Sequence, residues 1–339
     1  MKTILISRTD SIGDVMLTLP LVGWLKENIP SARIVFLCAS YTKPIVDSCH
    51  YIDDVLDWTE LQRYPQGEQI RRLRELHIDT VLHIFSNAAI ARLMKKAGIP
   101  ERIGTRNRLY HWHTCTSLVA LSRKNSPLHE AELNLRLAEP LLPRTPFPAV
   151  TALHRYYGFT QLPVLPEHLA VLLDSKRFNL ILHPKSQGSA PEWSSSAYES
   201  LLKLLPQERF NIILTGTEAE GKYVEALRES ISKCGGRDLA GQTTLAELIA
   251  LIAHADGLIA SSTGPLHIAA ALGKRVLGLF APIRPMHPAR WQPLGANVQV
   301  LCREKNCRAC KGGKPCVCIG SIAPEEVANV ALSWLKSEI

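Results

Sequence analysis

Short apolar runs recur along this chain, and stretches long enough for a helix separate most of them. Thr3-Ile4-Leu5-Ile6-Ser7, Arg33-Ile34-Val35-Phe36-Leu37 and Thr80-Val81-Leu82-His83-Ile84 are such runs in the first half. Asn179 to His183, Phe210 to Leu214, Gly257 to Ala260 and Arg275 to Phe280 repeat the theme in the second, and Val55-Leu56 is a shorter instance. Between them lie helical patterns: Val15, Leu17, Leu19, Val22 and Leu25, then Pro44 to Cys49 and Gln69 to Leu76. Ala197 to Leu205, Glu218 to Ser232, Leu245 to His254 and Leu266 to Leu272 continue the series. Strands that alternate with helices predict βαβ units and a mostly parallel sheet. The proline-rich stretch from Leu141 to Pro166 interrupts the alternation and reads as a connection between domains.

The expected fold is therefore α/β, with two Rossmann-like doubly wound domains facing a cleft, residues 1–160 and 161–339. A chain of 339 residues is comfortable for two such cores. Ligands in these sheets sit beyond the carboxyl ends of the strands, so chemistry is to be sought in the loops that follow them. Composition, at 46% apolar and 21% charged, is that of a soluble globular protein. No run is long enough to span a bilayer, and Met1 to Ser7 reads as a buried strand rather than a signal peptide, so the expected location is cytoplasmic. The net charge of +8, taken as spread along the chain, suits an anionic ligand, an acidic membrane surface or nucleic acid.

The most informative segment is Ser261-Ser262-Thr263-Gly264-Pro265-Leu266-His267. A strand delivers three hydroxyls and a glycine to the first turn of a helix, where backbone N–H groups and the dipole attract an anion. Simple capping by Ser or Thr is the plainer alternative, but it needs only one such residue and leaves His267 unexplained.

That segment, continued by Ile268-Ala269-Ala270-Ala271-Leu272-Gly273 and by Val276 to Pro282, resembles the donor-binding signature of glycosyltransferase family 9, the ADP-heptose:lipopolysaccharide heptosyltransferases. Arg8 to Asp14 with Leu17-Thr18-Leu19-Pro20, His183-Pro184-Lys185-Ser186 with Trp193, Thr215 to Glu220, and Leu239 to Thr243 are similar to further landmarks in the same order. The resemblance implies a GT-B type fold, with the acceptor on the N-terminal domain and the nucleotide sugar on the C-terminal one. It implies inversion without a metal, and the sequence contains no Asp-x-Asp. No cofactor is expected. The implied partners are a nucleotide-sugar donor and an anionic lipid-linked saccharide acceptor, with transient contact at the inner membrane surface and no nucleic acid.

By the same resemblance Asp14 is the general base, the alternative being that it complements the N-terminus of the first helix with Asp10 or Ser11 as cap. Donor binding falls to Lys185, Ser186, Glu218, Glu220, Ser262, Thr263, Gly264, Pro265 and His267. Acceptor binding falls to Ser11, Gly13, Arg102 and Arg106. Arg71, Arg72, Arg74 and Arg108 are further candidates for anion contacts, with a solvated basic face as the plainer reading. Two positions depart from the family pattern: Ser262 stands where Asp is frequent, and Pro191 where Lys or Arg is frequent before the tryptophan. Lys185 could supply the missing cation.

Of nine cysteines, five crowd between Cys302 and Cys318. Cys307, Cys310, Cys316 and Cys318 could hold a structural zinc, although Cys-x-Cys is tight spacing, and reduced thiols are the alternative. Three other functions compete: a sugar-nucleotide epimerase or hydrolase of the same architecture, a basic zinc-bearing nucleic-acid-binding protein, and a non-catalytic binding module.

Overall fold

Strands buried on both faces must be apolar along their whole length, and that is how this chain writes them. In the computed structural model Ile4, Leu5 and Ile6 are fully buried, as are Ile34 to Leu37 and Leu180 to Ile181. The structure describes all residues except 124–125, 187, 189, 222–224, 284–285, 304–306, 308–316 and 339.

Two units emerge, Met1–Gln161 and Leu162–Ile339. The first holds β1 (Thr3–Ser7), β2 (Arg33–Cys38), β3 (Asp54–Asp57), β4 (Thr80–His83), β5 (Glu101–Thr105) and β6 (Ser117–Val119). They pair in parallel in the order β3-β2-β1-β4-β5-β6. The second holds β7 (Phe178–His183), β8 (Phe210–Leu214), β9 (Arg237–Asp238), β10 (Gly257–Ser261), β11 (Arg275–Phe280) and β12 (Val298–Cys302), in the order β12-β11-β10-β7-β8-β9. Relative to its own first strand, each sheet has the same order. Each therefore reverses direction at one strand pair, β1 with β4 and β7 with β10, and such a reversal opens a crevice at the carboxyl edge.

Several elements differ from the sequence reading. β5, β6 and β9 are short or carry charged residues and Gln299 interrupts β12, so no apolar run announced them. The stretch after Leu141 is not a free connection. Leu153, Tyr156, Tyr157 and Phe159 are buried, and a 3₁₀ turn at Val150–Tyr156 packs on the helix Leu19–Asn28. A Cβ on Gly23 would stand 2.2 Å from the Tyr156 carbonyl oxygen, so only glycine lets these backbones approach. In the second unit the helix Pro324–Trp334 packs on the helix Ser195–Leu204. The Trp334 indole stacks on Phe178 at 5.8 Å.

Candidate functional site

In the second unit, β10 ends at the buried Ser261 and the chain passes through Ser262 and an extended Thr263 into the helix Gly264–Ala271. The Thr263 side chain makes no capping hydrogen bond to this helix, so capping is not what its hydroxyl does. Pro265 fits the first turn, where a missing N–H costs nothing. His267 is buried in that turn.

The neighbouring strand β7 ends at His183, whose Nδ1 lies 2.9 Å from Thr215 Oγ1. Burial pushes His183 down to about 4, so the ring is neutral at physiological pH. Lys185 follows and is ion-paired with Glu192. The other oxygen of Glu192 accepts the Ser186 N–H at 2.7 Å and lies 2.9 Å from Ser186 Oγ. Trp193, next to Glu192, is buried and donates Nε1–H to the Ile322 carbonyl at 3.0 Å, while its N–H reaches Ser261 Oγ at 3.4 Å. One acidic residue at the position beside Pro191 thus ties the β7 loop closed and supplies the Lys185 ammonium with a counterion.

After β8, the buried Glu220 accepts the Thr217 N–H at 2.7 Å, whereas Glu218 is exposed. Gly241 sits over this turn with φ +77°, its N–H donated to the Gly216 carbonyl at 2.9 Å. The structure so gathers the loops of Lys185, Ser186, Thr217 and Thr263 at the carboxyl edge of one sheet. Glu220 serves as a structural acceptor within that group.

In the first unit the loop after β1 is organised by one buried arginine. Arg8 is 3% exposed and meets three carboxylates: Asp10 at 2.6 Å from Nε, Asp14 from Nη2, and Glu130 at 3.3 Å from Nη1. Glu130, also buried, is paired with Arg123. Burial pushes the Asp10 carboxyl up against the opposing pull of Arg8. The Ser11 hydroxyl donates to Asp14 and does not cap the helix Ile12–Met16. Asp14 is therefore held by two partners and is more than a complement to a helix end. The Thr18 hydroxyl donates to the Asp14 carbonyl at 2.8 Å, and Asn134 Nδ2 reaches Leu17 O and Thr18 Oγ1.

Sequence reasoning left Glu130 and Asn134 without roles. They are spaced four apart on the helix Glu130–Leu137, and both are buried against the segment after β1, Glu130 on Arg8 and Asn134 on Leu17 and Thr18. Two buried polar residues at that spacing in an otherwise apolar stripe were the available signal. Gly13 lies beside Asp14 in the same short helix.

Arg102 is placed elsewhere. It stands near the amino end of β5, and its guanidinium donates to the carbonyls of Thr114, Ile99 and Pro100. It is spent on holding a turn at the edge opposite to Asp14, which removes it from the acceptor set. Arg106 is exposed just past the carboxyl end of β5. Arg71 and Arg72 pair with Glu68, and Arg71 with Glu75, on their own helix, so they form a solvated face. Cys307 and Cys318 are buried and pack with Ile283, whereas Cys310 and Cys316 lie outside the described residues. Among the described residues no group of three His, Cys, Asp or Glu is placed to hold a metal.

The family model for glycosyltransferase family 9 (heptosyltransferase) matches residues 68–317. The chain belongs to glycosyltransferase family 9. A Haemophilus influenzae protein provisionally named a glycosyltransferase is 28% identical over 311 residues, covering 87% of this chain and 86% of its own. Lipopolysaccharide heptosyltransferase 2 of Escherichia coli is 23% identical over 299 residues, covering 81% of each chain. The solved structure of the E. coli ADP-heptose lipopolysaccharide heptosyltransferase II superposes with a TM-score of 0.76 at 22% identity, covering 100% of this chain and 99% of its own. This family 9 chain is thus a glycosyltransferase with the heptosyltransferase fold, and lipopolysaccharide heptosyltransferases are among its relatives. Among its described residues no helix is long and apolar enough to cross a membrane.

Proposed function

We propose that this chain transfers a heptose from ADP-heptose to a lipopolysaccharide core-type acceptor, with inversion and without a metal. The observation that carries the reading is the uncapped helix start at Thr263, at the strand reversal beside the Lys185 loop. A diphosphate leaving group gains negative charge as the sugar–oxygen bond breaks. Backbone N–H groups of that turn, the Ser262 and Thr263 hydroxyls and the Lys185 ammonium are the groups suited to meet it.

On the first unit, Asp14 is read as the base. The acceptor hydroxyl oxygen bonds to the anomeric carbon, the diphosphate departs with its electron pair, and the hydroxyl proton passes to the Asp14 carboxylate. An arginine partner weakens a carboxylate as a base, but Arg8 shares its charge among three acids, which tempers that loss. In an inverting displacement the hydroxyl also becomes acidic only late, so a modest base suffices. Ser11 holds one oxygen of Asp14 and Arg8 the other, which fixes the orientation of the carboxylate.

Thermal stabilisation by ADP, UDP, GDP, CMP and their sugar conjugates tests the donor, because a ligand selective for the native state raises the midpoint. Preference for ADP and ADP-heptose is expected. Preference for another nucleotide keeps the transferase and discards heptose as the sugar, with Ser262 and Pro191 the positions to examine. No stabilisation by any of them sinks the donor site.

A further inference from the structure

The positive charge is not spread along the chain, contrary to the first reading of its sequence. Residues 80–129 contain eight Lys and Arg and a single acid, Glu101, so these fifty residues carry seven of the eight net charges. Glu101 lies at the amino end of β5, where it pairs with Lys2 and accepts from Thr80. The segment therefore brings no carboxylate to the carboxyl ends of β4, β5 and β6.

That edge also carries exposed apolar side chains. Leu109 is 85% exposed and Trp112 59% exposed, both in the turn and short helix after β5. Phe85, just past β4, is 38% exposed, and its N–H bonds to the Ser7 carbonyl, which sets it next to the end of β1. These residues are held, not loose. Trp112 donates its indole N–H to the Arg106 carbonyl at 3.0 Å, so its polar atom is satisfied while the ring faces water. His111, buried beneath, stacks on the buried His83 and anchors the turn. Arg106 and Arg108 are both exposed in the turn that follows β5. Neither of those two guanidinium groups has an ion-pair partner among the described residues, in contrast to Arg71 and Arg72 on the helix Gln66–Glu75.

We propose that this face docks on an anionic lipid bilayer, with Leu109 and Trp112 entering the interface and Arg106 and Arg108 meeting headgroup phosphates. An indole with a satisfied N–H, an aliphatic side chain and flanking cations is the chemistry of an interfacial anchor. Nucleic acid would use the cations and the indole but has no use for an isolated leucine. Lying on the same sheet edge as Asp14, the anchor would hold the acceptor unit at the surface from which a lipid-linked saccharide projects. The inference rests on the proposed function only for that lipid-linked acceptor, and it is tested without donor or acceptor.

The full chain is sedimented with vesicles of phosphatidylethanolamine and phosphatidylglycerol, and separately with phosphatidylcholine vesicles. Binding to the anionic vesicles is expected, weakening as salt is raised. Each cation near an anionic surface is worth about fivefold in partition, so Arg106→Gln with Arg108→Gln lowers it about twenty-five-fold. Leu109→Ser lowers it about tenfold through lost apolar burial, and Trp112→Phe restores most of what Trp112→Ser loses. Unchanged thermal midpoints, expected for side chains already in water, exclude misfolding as the cause. Equal partition of wild type and all variants overturns the proposal. So does a single-stranded oligonucleotide that binds more tightly than the vesicles and is lost in Trp112→Ser but not in Leu109→Ser.

Discussion

Replacing Arg8 by methionine keeps the volume of the side chain and removes its charge from the centre of a buried cluster. Three carboxylates, Asp10, Asp14 and Glu130, would then lose the guanidinium they share, and Arg123 is paired with Glu130. Arg8 is 3% exposed, so water does not screen the loss. Removing one partner from a buried ionic set costs about 3–5 kcal/mol. That is a large share of the roughly 5–15 kcal/mol that holds a typical domain together. The penalty also carries a pH signature. Without Arg8 the folded carboxyls titrate above their unfolded values, so the folded state binds more protons and its stability falls as pH rises through those raised values. The variant should therefore lose most at pH 7.5 and recover part of the deficit near pH 5. Peptide-resolved hydrogen exchange during urea unfolding reads the β1 and β7 strands separately, which isolates the first unit. Unchanged β1 protection at pH 7.5, or a deficit that grows on acidification, would refute the assignment of Arg8 as the charge that holds this loop.

Further outcomes follow from other contacts. Asp14→Asn should lower kcat by about 10²–10⁴-fold while nucleotide stabilisation persists, as measured by turnover beside thermal shift. Gly23→Ala should cost roughly 1–3 kcal/mol in the first unit, because its Cβ meets a backbone carbonyl that cannot turn aside; urea midpoints check it. His183 is held down to about 4, so the unfolded chain binds its proton first. The second unit should lose up to about 3 kcal/mol as pH falls from 6.5 to 4, and His183→Asn should flatten that dependence in pH-resolved exchange. Lys185→Ala should weaken donor binding by about tenfold or more, read by titration; no change would leave the helix start to carry the diphosphate alone.

Central parallel strands were legible because burial on both faces demands unbroken apolar runs, as at Ile4 to Ile6 and Ile212 to Leu214. Edge strands such as β6 and β9 escaped the reading because a strand with one neighbour tolerates polar residues and needs only two or three of them. The donor loop was legible in Ser262-Thr263-Gly264, since the helix start it feeds is local in sequence. The Arg8 cluster was only half visible. Its members Asp10 and Asp14 lie nearby, but Glu130 is 122 residues away, and no local pattern states which buried acid an arginine will meet. Arg102 misled for the same reason. A guanidinium reads as an anion site in sequence, and only the fold shows that three carbonyls have claimed it.

The stacking of Trp334 on Phe178 has a consequence for how the chain is made. Phe178 opens the central strand of the second unit; Phe210 meets its ring edge-on, but the indole that stacks on it, Trp334, arrives more than a hundred and fifty residues later. During translation the first unit can close soon after Gln161 leaves the ribosome. The second must wait with β7 and the helix Ser195–Leu204 uncovered until the helix Pro324–Trp334 emerges. A nascent second half stalled before that point should display apolar surface to chaperones, while the first half is already native.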